Sequence, residues 1–73
     1  MGERVYGFHA IEEALKKAGM GSTIYLQRNG GERIQSLERQ AQLTGKVAVK
    51  KVSRDELERM MPGVDLRGAL LDL

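Results

Sequence analysis

An α/β fold is predicted for this chain of 73 residues by three features of its sequence. Apolar residues recur at helical spacing in several segments, β-branched alternating stretches lie between them, and glycines mark the changes from one period to the other. Residues 8 to 18 place Ala10, Ile11, Ala14, Leu15 and Ala18 on one stripe, with Glu12, Glu13, Lys16 and Lys17 opposite, which predicts an amphipathic helix. Gly7 is expected to give a tight turn into it and Ala10 to be the small residue facing the sheet, while Gly19 and Gly21 end it. In STIYLQ, Ile24 and Leu26 alternate with Thr23, Tyr25 and Gln27, so a strand follows. RNGG then breaks that strand with residues that tolerate positive φ. A second helix over residues 32 to 43 sets Ile34, Leu37 and Ala41 on its buried side, and Gly45 closes it. KVAVKKV is the second strand. Ser53 followed three residues later by Glu56 is a capping box, opening a short helix whose apolar side is Leu57, Met60 and Met61 and which Pro62-Gly63 stops. GALLDL, almost continuously apolar, reads as a strand covered on both faces.

Strand, helix and strand in succession make a βαβ unit, so residues 22 to 27 and 47 to 52 are expected to pair in parallel through a right-handed crossover. No internal repeat, low-complexity segment or linker divides the sequence, and residues 1 to 73 are read as one domain. Because its last residues read as buried sheet, that domain is expected to be cut from something longer.

Composition excludes whole classes of chemistry. Cysteine is absent, which removes disulfides, thiol nucleophiles and thiolate metal sites, and one histidine cannot build a His-based zinc site. No apolar run approaches the roughly 20 residues that span a bilayer, so a soluble, cytoplasmic domain away from membranes is expected. Twelve Lys and Arg against ten Asp and Glu leave a net charge of +2. Such a balance permits a nucleic-acid partner without requiring one.

Each remaining candidate has a functional and a structural reading. His9 has the chemistry of a general base, but no Ser or Cys nucleophile signature accompanies it, and a structural or capping role near a helix start serves it as well. No catalytic residue is assigned. The glycines of RNGGER can cradle a phosphate through backbone N–H groups or simply turn the chain from strand to helix. Lys46, Lys50, Lys51 and Arg54 gather around the second strand and can follow a nucleic-acid backbone, although Asp55 and Glu56 dilute them. Glu12, Glu13, Glu56 and Glu58 read as solvated helix faces, and Met60 and Met61 as core filler.

A family pattern goes further than periodicity. VYGFHAIEEALKKAG, then IYLQ, then LERQAQLTGKVAVKKVSRDELERMMPG and finally RGALLDL resemble, in that order and over essentially the whole chain, the N-terminal substrate-binding domain of the SpoU family of RNA 2'-O-ribose methyltransferases. The most specific pieces are Gly7-Phe8-His9-Ala10 leading into the first helix and Gly68-Ala69-Leu70 opening the last strand. The resemblance implies a small mixed sheet of about four strands flanked by helices, similar to the fold of ribosomal proteins that bind kink-turn RNA. It also implies a domain that holds ribosomal or transfer RNA for a separate, knotted catalytic domain, which binds S-adenosylmethionine and forms the dimer. This piece is then expected to be a monomer with no cofactor and no methyltransferase activity of its own. Family members often carry His two residues before the glycine of the last strand, whereas Leu66 stands there in Asp65-Leu66-Arg67-Gly68.

For RNA contact the sequence offers Arg4, Tyr6, His9, Arg28, Asn29, Arg33 and Arg67, all at expected strand ends or turns. Tyr6 and His9 suit stacking on an unpaired base, and an Arg fork meets phosphate bidentately. Two other readings compete: a protein-interaction module that orients a catalytic domain with little RNA affinity, which the modest charge fits, and a free-standing RNA-binding protein related to ribosomal components.

Overall fold

A computed structural model describes residues 3–17 and 20–73. The chain runs β1 (Arg4–Tyr6), α1 (Phe8–Lys17), β2 (Ser22–Gln27), α2 (Glu32–Thr44), β3 (Val47–Val52), α3 (Arg54–Met60) and β4 (Ala69–Asp72). Its strands form a mixed sheet in the order β1-β4-β2-β3, flanked by the three helices, which is the α/β arrangement expected. β2 and β3 pair in parallel from Ser22 opposite Val47 to Gln27 opposite Val52. The helix between them is the crossover such a pair requires. β4 enters between β1 and β2 and runs antiparallel to both, with Leu71 opposite Val5 on one side and Ile24 on the other.

Alternation along β2 and β4 divides the apolar residues between two faces. Ile24, Leu26, Ala69 and Leu71 meet Ile11 and Leu15 of α1 and Ile34, Leu37 and Ala41 of α2. On the other face Leu70 and Val52 meet Leu57 of α3 and Leu66, with Tyr25, Met60, Met61 and Val64 packed around them. Burying an aliphatic side chain of this size contributes about 1.5–3 kcal/mol. The seven-residue α3 is therefore held by Leu57 and its neighbours rather than by its own helical propensity. Leu66 is 5% exposed and belongs to this second cluster, so it is part of the core.

The expected chain punctuation is present, with one correction. Ser53 caps α3, its Oγ accepting from the Glu56 backbone N–H at 3.1 Å. Gly7, with φ +90, makes the turn between β1 and α1, and Gly45, with φ 67, ends α2 in the left-handed conformation. Ala10, however, is exposed. Its place against the sheet is taken by Phe8, which packs on the core one turn before Ile11. Arg4–Tyr6, which carries no periodic signal of its own, completes the sheet of about four strands that the family resemblance implies. Ala18 and Gly19, assigned to the end of the first helix, lie outside the described residues.

Candidate nucleic-acid interface

Strand directions decide which loops share an edge of the sheet. β1, β2 and β3 run the same way and β4 runs against them. The turns that follow β1, β2 and β3 therefore lie on one rim together with the segment that leads into β4. That rim carries Tyr6 to His9, Arg28 to Gly31, Ser53, and Val64 to Gly68.

Close backbone contacts fix the loops to one another. The Gln27 N–H donates to Gly68 O at 2.8 Å and the Arg28 N–H to Val52 O at 2.9 Å. Gly68, with φ +89, sits so near the start of α2 that a Cβ there would lie 3.2–3.3 Å from Gln27 and Ile34. Asn29 and Arg67 both take positive φ, 59 and 54, in the turns that raise Arg28 and Arg67 to the surface. Asn adopts that region readily. Arg67 is held there by Asp65, whose Oδ1 accepts the Arg67 N–H at 3.2 Å while Oδ2 lies 3.8 Å from Arg67 Nε.

Four of the seven residues singled out from the sequence, Tyr6, His9, Arg33 and Arg67, line one shallow depression of about 470 Å³ on this rim. Phe8 and Asp65 line it with them. Tyr6 is 47% exposed, one of the few large hydrophobic side chains of the described residues that the fold leaves at the surface. The guanidinium carbon of Arg33 stands 4.5 Å from the centroid of the Phe8 ring. This cation–π contact, worth about 0.5–1 kcal/mol at an exposed site, links the first turns of α1 and α2 and fixes where the Arg33 charge is presented. Arg28 and Asn29 lie exposed in the turn after β2, on the same rim but outside the depression.

Arg4 differs from the other six. It stands at the start of β1 opposite Asp72, away from the rim, and its Nη1 donates to Met60 O at 2.7 Å, tying β1 to the end of α3. The basic residues of β3 and the start of α3 are likewise partly occupied. Lys51 pairs with Glu38 at 2.8 Å and Arg54 with Glu58 at 3.6 Å.

Three participants were not singled out from sequence. Phe8 is the ring beneath Arg33, and Asp65 shapes the turn before Gly68. Gln27 lines a second depression of about 350 Å³ with Arg54 and Leu66, and Asp65 and Arg67 form the boundary it shares with the first. Of these, only Asp65 had a local signal, an Asp two residues before a residue whose N–H it can bind. Among the described residues no group of three or more His, Cys, Asp or Glu is placed to hold a metal ion, and no helix is long and apolar enough to cross a membrane.

A family model described as RNA 2'-O ribose methyltransferase substrate binding matches residues 4–65. The chain belongs to that family. The match spans β1 to α3 and the turn beyond, including Gly7-Phe8-His9-Ala10, and stops before β4. No curated protein gives a significant match. Membership makes the chain a substrate-binding domain of RNA 2'-O methyltransferases, with RNA as its partner.

Proposed function

We propose that this substrate-binding domain grips RNA along the rim formed by the turns after β1 and β2 and the segment before β4. The observation that carries the reading is the meeting of Tyr6, His9, Arg33 and Arg67 in one depression, with Arg28 and Asn29 beside it. Arginines neutralise phosphates and give affinity without sequence preference, while an exposed tyrosine and histidine offer stacking faces to unpaired bases. Arg4 joins this surface only if its guanidinium leaves the Met60 carbonyl.

The RNA is ribosomal or transfer RNA in the cytoplasm, and the domain holds it for a separate catalytic domain that uses S-adenosylmethionine. The full enzyme works as a homodimer, and this piece by itself is a monomer without cofactor or activity.

Replacing Arg28, Arg33 and Arg67 together by Ala tests the surface. Each lost phosphate contact to single-stranded RNA should flatten the slope of log affinity against log salt by about 0.7. Unchanged affinity and slope in the triple variant would show that the assigned rim is wrong.

A second reading, an orienting module that binds protein, is favoured by apolar residues at the opposite end of the sheet. Met20, 84% exposed, and Leu73 line a groove with Val5, Ala10 and Ala14, and Leu43 is 81% exposed in the last turn of α2. NMR titration separates the two readings. Salt-sensitive shifts on the Arg67 rim with RNA support the first, whereas shifts confined to the Met20 groove on adding the catalytic half support the second.

A further inference from the structure

One residue of the depression has the wrong charge for holding a phosphate. Asp65 is the lone acid among the described residues that line it, and its side chain is 82% exposed although both oxygens lean on Arg67. A carboxylate at this place repels the phosphates that Arg33 and Arg67 attract. It attracts instead a base edge made of hydrogen-bond donors, since an ionised carboxylate only accepts and has about four lone-pair sites, of which Arg67 occupies a part.

The four bases differ in what they offer such a group. Guanine presents two adjacent donors, N1–H and the N2 amino group, on its Watson–Crick edge. Adenine and cytosine each set one amino donor beside a ring acceptor, and uracil flanks its single N–H with two carbonyls. Two parallel donors match the two oxygens of one carboxylate, and the remaining bases bring a lone pair against it.

We infer that Asp65 is a specificity-determining residue that reads an unpaired guanine in the RNA, with the phosphate of that nucleotide drawn to Arg33 and the base plane laid against the exposed Tyr6 or His9 ring. The inference rests on the RNA-holding reading of the rim. It adds base selection to a surface whose other polar side chains recognise charge and shape. The base must be unpaired, because pairing with cytosine consumes the edge that Asp65 reads.

The test uses five RNA hairpins that differ at one loop position, carrying guanosine, inosine, adenosine, cytidine or uridine there, with affinities measured for the wild-type chain and for Asp65→Asn. Asparagine keeps an oxygen to accept the Arg67 N–H, so the turn is preserved, but it puts a donor where the second acceptor stood. The wild type should prefer guanosine by about five- to tenfold over adenosine, the lower part of the range for a two-bond base contact. Inosine, which lacks the N2 amino group, should lose most of that preference without any change in the protein. Asp65→Asn, whose amide offers one donor beside one acceptor, should lose the guanosine preference and bind adenosine at least as well as guanosine.

Equal, salt-sensitive binding of all five hairpins by the wild type would overturn the base-reading role and leave the RNA-holding role standing. A guanosine preference that persists in Asp65→Asn would overturn the assignment to Asp65. Failure to bind any hairpin at any salt would remove the RNA-holding reading and this inference with it.

Discussion

Gly30 sits where one added methyl group should be felt through the whole rim. Its conformation is not the reason, since its φ lies outside the positive range that excludes side chains. Space is the reason. A Cβ built on Gly30 would lie 2.6 Å from Ile34 Cγ1, 2.7 Å from Ile34 Cβ and 2.8 Å from Ile34 Cγ2. Rotating Ile34 moves its γ carbons but not its Cβ, and a β-branched residue in a helix has essentially one comfortable rotamer. Ile34 is also 5% exposed and packed in the α1–α2 core, so the strain must be relieved by moving the backbone of the turn after β2. Overpacking of this kind costs about 1–3 kcal/mol. In a domain of this size each kcal/mol lowers Tm by about 4–8 °C, so Gly30→Ala should melt roughly 10 °C below wild type. Gly31→Ala is the control: nothing lies within 4 Å of a Cβ built there, so it should lose only the preference for Gly over Ala at the N-cap of α2, under about 1 kcal/mol. Thermal unfolding followed by circular dichroism measures both. A Gly30→Ala variant that melts with Gly31→Ala would refute the packing argument. Combining Gly30→Ala with Ile34→Ala should not restore wild-type stability, since the Ile34 Cβ remains and a cavity is added.

Two further substitutions test what holds the α3 face. Ser53→Ala removes the oxygen that accepts the Glu56 N–H and should cost about 1 kcal/mol in urea unfolding, whereas Ser53→Asp, which keeps an acceptor, should cost little. Leu66→Ala should cost about 2–4 kcal/mol by opening a void between Val52, Leu57 and Leu70, and a loss below about 0.5 kcal/mol would mean that the segment before β4 is not packed as described.

The elements that sequence reading identified are those whose reason is local. Ile34, Leu37 and Ala41 recur at helical spacing, Ile24 and Leu26 alternate, Gly45 ends α2 and Ser53 starts α3, so these elements and limits are written in neighbouring residues. β1 is different. Three residues with only Val5 half-buried carry no period, and they are a strand because β4 lies beside them. Ala10 faces outward for a related reason. On a short helix an alanine stripe and a stripe through Phe8, Ile11 and Leu15 are about one residue apart, and the larger apolar side chains determine which one turns inward. The rim residues could be named as turn residues, but that Tyr6, His9, Arg33 and Arg67 meet depends on strand order. Strand order follows from where β4 inserts, which no local pattern states. Nor does local sequence reveal that the Arg4 guanidinium turns to the Met60 carbonyl.

The position of β4 between β1 and β2 also bears on how the protein comes into being. Synthesis delivers the sheet out of spatial order, with both outer parts made before the strand that joins them. Until residues 69 to 72 emerge, β2 presents an open edge of unpaired N–H and C=O groups, Arg4–Tyr6 has no strand to pair with, and Ile24 and Leu26 lack the neighbours that complete their burial. A nascent chain at that stage offers other chains the open edge of β2, a place for β-strand addition by a chaperone or by a second nascent copy. Insertion of β4 therefore supplies residues to the core on both faces and sets the segment that carries Arg67 beside the turn that carries Tyr6.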